Sequence, residues 1–144
     1  MSRSTEILRE CYEAFNHGDV DAILRFVHPQ FEVAVPPELS AEPDTYRGHD
    51  GIRRYFESFT DAMDEICFEP QRFWETPRCV VADVRMSARG RLTSIRVEQR
   101  FAQVWELRED KAFRATTYVS LPEALRAAGL PADAGSRADP PAAS

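Results

Sequence analysis

The chain has 144 residues, of which 43% are hydrophobic and 29% charged, the size and composition of one globular domain rather than of a disordered or fibrous chain. Its formal net charge of -6 contains no acidic block, and its 18 Lys and Arg residues never form a dense run, which argues against a nucleic-acid or anionic-membrane surface. At this length roughly two thirds of the extended-chain surface is buried on folding, so packing alone suffices without a disulfide or a structural metal.

The opening segment places Ile7, Leu8, Cys11, Ala14 and Phe15 on one helical face, with Glu6, Arg9, Glu10 and Glu13 elsewhere, which predicts an amphipathic helix ending at Asn16-His17-Gly18. Asp19 is placed to cap a second helix, in which Val20, Ile23, Leu24 and Val27 recur until His28-Pro29. Phe31, Val33 and Val35 then alternate with polar or small residues as in a strand, and Pro36-Pro37 ends it before a Pro- and acid-rich loop. Asp50 is the expected cap of a third helix with Ile52, Tyr55, Phe56, Phe59 and Met63 as its buried stripe.

From about residue 65 the texture turns to strands, expected over 66–68, 78–87, 95–107 and 112–119, the last two joined by a turn at Glu109-Asp110-Lys111. Ser120 with Glu123 forms a capping box, Pro122 lies in the first turn and Gly129 suits a C-terminus, so a short helix is expected over 121–128. Residues 131–144 have no apolar period and read as a disordered tail after a single domain over 1–130. Helices first and strands after predict an α+β fold, a curved antiparallel meander covered by the N-terminal helices around a central pocket. Such an open sheet with aromatics on both faces has one side left to cover, from which a homodimer is expected.

Cys11, Cys67 and Cys79 are an odd number and far apart, which fits buried, reduced thiols in a cytoplasmic protein. The first residues lack the apolar core of a signal peptide, and no stretch approaches the roughly 18 apolar residues of a membrane span, so no membrane association is expected. His17, His28 and His49 show no ligand spacing, and neither a phosphate loop nor a dinucleotide fingerprint occurs, so no metal and no cofactor are expected.

The stretch Tyr12-Glu13-Ala14-Phe15-Asn16-His17-Gly18-Asp19-Val20-Asp21-Ala22-Ile23 resembles the helical hairpin that opens SnoaL-like proteins. Tyr46-Arg47-Gly48-His49-Asp50-Gly51-Ile52, followed by Tyr55-Phe56, is similar to their helix-entry motif. Arg100-Phe101-Ala102-Gln103-Val104-Trp105, Tyr118 and Glu123-Ala124-Leu125 are similar to their late strands and last helix. The resemblance spans about residues 5–130 and implies the cone-shaped fold shared by ketosteroid isomerases, polyketide cyclases, limonene-type epoxide hydrolases and nuclear transport factor 2. That fold serves catalysts and binders alike.

The isomerase comparison puts the donor tyrosine on Cys11, the base on Val35 and the second acid near Ala102, none of which can do that work. The late-strand aspartate of cyclases and epoxide hydrolases falls on Thr117, a hydroxyl that needs an activating neighbour. The remaining candidate base is Glu98, which alternates with Arg96 and Arg100 on one strand face. That comparison makes this the pocket face, with Arg100 holding substrate charge; the other reading is a solvated or cross-strand ion-pair face.

Gln103 and Trp105 share the opposite face with Phe101 and Leu107 and line the cavity instead if the register differs; the other reading of Trp105 is buried aromatic core. Trp74, between strands, is a pocket-mouth gate or a rim aromatic; Tyr46 and Tyr118 offer hydroxyls to orient a carbonyl, or simply pack. Two functions are expected: a pocket for a small, largely apolar molecule with cofactor-free isomerase- or cyclase-type acid–base chemistry, or a non-catalytic binding or dimerisation module that has lost the acid.

Overall fold

Proline and glycine set the first boundaries. The computed structural model describes residues 3–35 and 45–134; the expected strand end at Pro36-Pro37, the acid-rich loop and most of the expected tail lie outside the described residues. Helix α1 (Arg3–Asn16) buries Ile7, Leu8, Cys11, Tyr12 and Ala14. Gly18 turns the chain at φ +70°, and the Asp19 carboxylate accepts from the Ala22 N–H at 3.0 Å to start α2 (Val20–Arg25), the expected cap.

That helix stops two residues earlier than its apolar spacing suggests. Val27 instead opens strand β1 (Val27–Ala34), because Pro29 drives the residue before it out of helical conformation. Along β1, Phe31 and Val33 are buried and their neighbours less so, as their alternation predicts.

A short strand, β2 (Thr45–Arg47), pairs antiparallel with β1 through Tyr46 opposite Val33. Three residues are too few to show a period in sequence. Helix α3 (Gly48–Thr60) follows directly, so Asp50 lies inside its first turn, ion-paired to Arg53 at 3.4 Å, and is not its cap; the cap position is Arg47, without a side-chain bond. Gly51 lets α3 rest on β2: a Cβ there would stand 2.9 Å from the Tyr46 carbonyl carbon. Gly51→Ala is therefore expected to destabilise the fold by about 1 kcal/mol net, since an overpacking cost of about 1–3 kcal/mol outweighs a helix-propensity gain of about 1 kcal/mol. A urea midpoint at or above that of the unmodified protein would contradict this.

The remaining strands are β3 (Met63–Glu75), β4 (Val80–Gly90), β5 (Arg96–Arg108) and β6 (Lys111–Tyr118), closed by helix α4 (Leu121–Ala127). Strand β3 is far longer than the expected 66–68 and includes Trp74. Pro70 and two register shifts, one at Glu65 with φ +52°, break its alternation, which an edge strand tolerates. The turn between β5 and β6 places Glu109 and Asp110 at φ +54° and +61°, as in tight two-residue hairpins. Ser120 caps α4, accepting from the Glu123 N–H at 3.5 Å, and Gly129 follows the helix at φ +81°.

The six strands run in the order β2-β1-β6-β5-β4-β3, so β3 to β6 form the expected antiparallel meander; β1 joins β6 in parallel. One sheet face carries α1, α2 and α3 over the main core, including Phe31, Val33, Phe68, Val84, Phe101 and Trp105. The outer face carries α4 over a second cluster of Trp74, Val81, Ala102, Ala124 and Leu125. The fold is thus α+β, with helices packed on a mostly antiparallel sheet. Among the described residues no helix is long and apolar enough to cross a membrane. All three cysteines are free, but only Cys11 is buried; Cys67 and Cys79 are half-buried.

Candidate functional site

Between the N-terminal helices and the sheet lies a cavity of about 50 Å³. Its walls come from Cys11, Tyr12 and Phe15 of α1, Ile23 of α2, Val27, Phe31 and Val33 of β1, Ile52 and Tyr55 of α3, Phe68 of β3, and Gln103 and Trp105 of β5. Asn16 fixes the α1 wall: its side-chain amide donates to the Phe68 carbonyl at 2.9 Å and accepts from the Phe68 N–H at 2.7 Å. Tyr12, one turn earlier, is thereby held over the sheet.

The polar groups in this apolar space form one chain. Trp105 Nε1 donates to Tyr12 Oη at 3.0 Å, Tyr12 Oη donates to Gln103 Oε1 at 2.5 Å, and Gln103 Nε2 donates to Thr117 Oγ1 at 3.0 Å. Tyr12, Gln103, Trp105 and Thr117 are all buried. Indole N–H only donates, so the proton order runs outward from Trp105, which leaves the second amide hydrogen of Gln103 and the hydroxyl hydrogen of Thr117 for another acceptor. Trp105 is held further by Phe31, stacked at 6.1 Å, and by Tyr12, edge-on at 5.9 Å.

Every titratable group lining the cavity is held neutral. Burial pushes the Cys11 thiol up to about 12. Burial also raises Tyr12 well above the ordinary phenol value, partly opposed by the hydrogen bond from Trp105, and raises Tyr55 in the same way. Among the described residues no carboxylate lines the cavity. The arrangement offers hydrogen-bond donors to an acceptor atom but no group suited to take a proton at neutral pH. Among the described residues no group of three or more His, Cys, Asp or Glu is placed to hold a metal ion.

The residues singled out from sequence separate into two sets. Gln103 lines the cavity and bonds to Thr117, which faces an adjoining hollow of about 10 Å³ with Val35 and Gln99. Tyr46 is buried behind the cavity wall, its ring 5.2 Å from that of Tyr55. The other residues lie on the outer face. Glu98, its side chain 57% exposed, accepts from Arg85 at 2.6 Å, and Arg100 donates to Asp83 at 2.8 Å.

Strands β4 and β5 pair without a register shift, so Arg96, Glu98 and Arg100 do share a face with Ala102 and Val104; that face points away from the cavity. Of the pairs along it, Arg85–Glu98 is a cross-strand ion pair of the solvated kind, whereas the Asp83 that meets Arg100 is itself buried. Trp74 and Tyr118 belong to the outer cluster under α4, and Trp74 stacks beneath Arg72 at 4.5 Å rather than gating a mouth.

Sequence reasoning missed Tyr12 and Tyr55. Tyr12 stood one residue from the position assigned to the donor tyrosine, and Gln103, which with Trp105 faces the cavity from β5, is one from Ala102. A one-residue shift moves a strand residue to the other face, which explains the Glu98 assignment but not Tyr12 and Tyr55, which lie on α1 and α3.

In comparison with known proteins, the SnoaL-like domain model matches residues 8–115. No curated protein matches the chain. Among solved structures, an NTF2-like protein of unknown function from Burkholderia pseudomallei K96243 is 22% identical with a TM-score of 0.74, over 88% of this chain and 97% of that one. TerC, co-crystallised with polyporic acid, is 23% identical with a TM-score of 0.74, over 83% of this chain and 92% of that one. The epoxide hydrolase/cyclase-like enzyme SalBIII, of pyran ring formation in polyether salinomycin, is 24% identical with a TM-score of 0.69, over 82% and 91%. At these identities the likeness concerns the fold.

Proposed function

The chain belongs to the SnoaL-like domain family, and from that premise we propose that it binds a small, largely apolar molecule bearing an acceptor oxygen, such as a carbonyl, without converting it. The observation that carries this reading is the buried chain from Trp105 through Tyr12 and Gln103 to Thr117: it has donor hydrogens to spare and, among the described residues, no carboxylate beside it. An acceptor oxygen brought into that space gains two donors in a dry setting, where hydrogen bonds are stronger than in water. TerC, co-crystallised with polyporic acid, and SalBIII, named as an epoxide hydrolase/cyclase-like enzyme, make a ring-bearing or polyketide-like ligand a reasonable class to try first.

Cofactor-free acid–base chemistry on the same molecule is the competing function. It needs a base in the cavity, and its candidate Glu98 is engaged with Arg85 on the outer face, which supports binding over turnover. We also propose a homodimer, which the exposed apolar side chains Leu92, Ile95 and Val97 at the β4–β5 hairpin end of the sheet support.

Native mass spectrometry of the purified protein tests both points at once. The expected result is a dimer mass carrying an unmodified small molecule that Gln103→Leu fails to retain. A monomer refutes the assembly, and equal retention by the variant refutes the assigned donors. Turnover of a cyclisable substrate panel that Glu98→Gln leaves unchanged would point to catalysis without that residue.

A further inference from the structure

The main cavity, at about 50 Å³, is well short of the roughly 150 Å³ that takes up a benzene ring, so any ring-sized ligand has to displace part of the wall. Most of the wall is fixed. Tyr12, Gln103 and Trp105 are tied to one another by hydrogen bonds. Phe15 is wedged between the rings of Tyr55, Phe56, Phe59 and Phe68 at 4.7 to 6.2 Å.

Tyr55 differs in three ways. It lines both the main cavity and the adjoining hollow that holds Gln99 and Thr117, so its ring stands between them. Its hydroxyl has no hydrogen-bond partner among the described residues, although the residue is half-buried against the main core. Its neighbours are the rings of Phe15, Tyr46 and Phe59, contacts that a turning ring can exchange without breaking a hydrogen bond.

Resting on the pocket reading above, we propose that Tyr55 is the specificity-determining wall of the site. Its ring turns aside to join the two hollows, and its hydroxyl donates to an acceptor oxygen in the middle of an elongated, largely apolar ligand. The ligand then lies past Gln103 towards Thr117, with its oxygen beside the Tyr55 phenol and its apolar ends in the two hollows. Tyr55 thereby sets both the length that is accepted and the requirement for an oxygen.

The test uses phenyl alkyl ketones from acetophenone to octanophenone and the matching alkylbenzenes, titrated calorimetrically against the full chain and its variants. Tyr55→Ala is expected to bind the long ketones at least about tenfold more tightly while changing acetophenone least. Tyr55→Leu serves if near-ultraviolet circular dichroism shows the alanine variant unfolded. Tyr55→Phe is expected to keep the length profile and lose roughly five- to tenfold of the preference for ketone over alkylbenzene. An unchanged length profile in the small variants, or an unchanged ketone preference in Tyr55→Phe, overturns the proposal.

Ile23→Trp, which fills the main cavity from α2, separates the two levels. Ketones that bind the unmodified protein but not Ile23→Trp support the pocket whatever the Tyr55 variants do. Ketones indifferent to Ile23→Trp, or bound by no variant, overturn the pocket and the role of Tyr55 with it.

Discussion

Trp105→Ala is expected to lower stability by about 3–5 kcal/mol, the range for truncating a buried large aromatic. Its indole is buried, stacked on Phe31 at 6.1 Å and edge-on to Tyr12 at 5.9 Å, so the substitution leaves a void bounded by fixed neighbours rather than one that can collapse. Part of the loss is polar, because Tyr12 Oη loses the donor 3.0 Å away. Trp105→Phe isolates that part and is expected to cost about 1–2 kcal/mol.

Tyr12→Phe leaves the indole N–H and Gln103 Oε1 without their partner, so it is expected to cost about 1–3 kcal/mol. The double variant Tyr12→Phe with Trp105→Phe should cost less than the sum of the two, since the second change removes a group the first has orphaned. Denaturant unfolding of the four proteins measures this. Strict additivity would mean the Trp105–Tyr12 bond contributes nothing.

Alkaline pH is the second strong lever. Cys11, with an ordinary thiol value of 9.0, is raised to about 12 by burial. In the folded protein the thiol therefore keeps its proton where the unfolded chain has released it. The unfolded state then binds fewer protons, and stability falls as pH rises. The contribution is fully present below pH 9 and is lost between about 9 and 12. A shift of that size corresponds to about 4 kcal/mol from this one group.

Tyr12 and Tyr55, both raised by burial, act in the same direction from about pH 10 upward. Urea unfolding at pH 8 and at pH 10.5 is expected to differ by about 2 kcal/mol or more, and Cys11→Ala should flatten the slope above pH 9. A stability that stays level to pH 11 would mean that the thiol and phenols reach water. Alkylation adds a check at neutral pH: the half-buried Cys67 and Cys79 should react before Cys11.

The helices were legible because each carries its own period and its own ends. Ile7, Leu8 and Cys11 mark a face, Asp19 and Ser120 supply caps, and Gly18 and Gly129 supply exits, all within a few residues of chain. The β5–β6 turn was legible for the same reason. Strand β3 was not, because its two bulges and Pro70 are tolerated only at a sheet edge, and edge position is not a local property. Nor was β2, which exists as a strand through its pairing with β1.

The sequence by itself determined the fold class, the antiparallel meander and the family, since helix periods, caps and turn residues are short-range signals and the motifs lie along consecutive residues. Which residues line the cavity was decided only in three dimensions. Whether Glu98 or Gln103 faces the helices depends on which side of the sheet α1 to α3 cover, and neighbouring strand residues point to opposite sides. Tyr12 and Trp105 meet across 93 positions of chain, and a hydrogen bond between groups so far apart leaves no trace in the spacing of either.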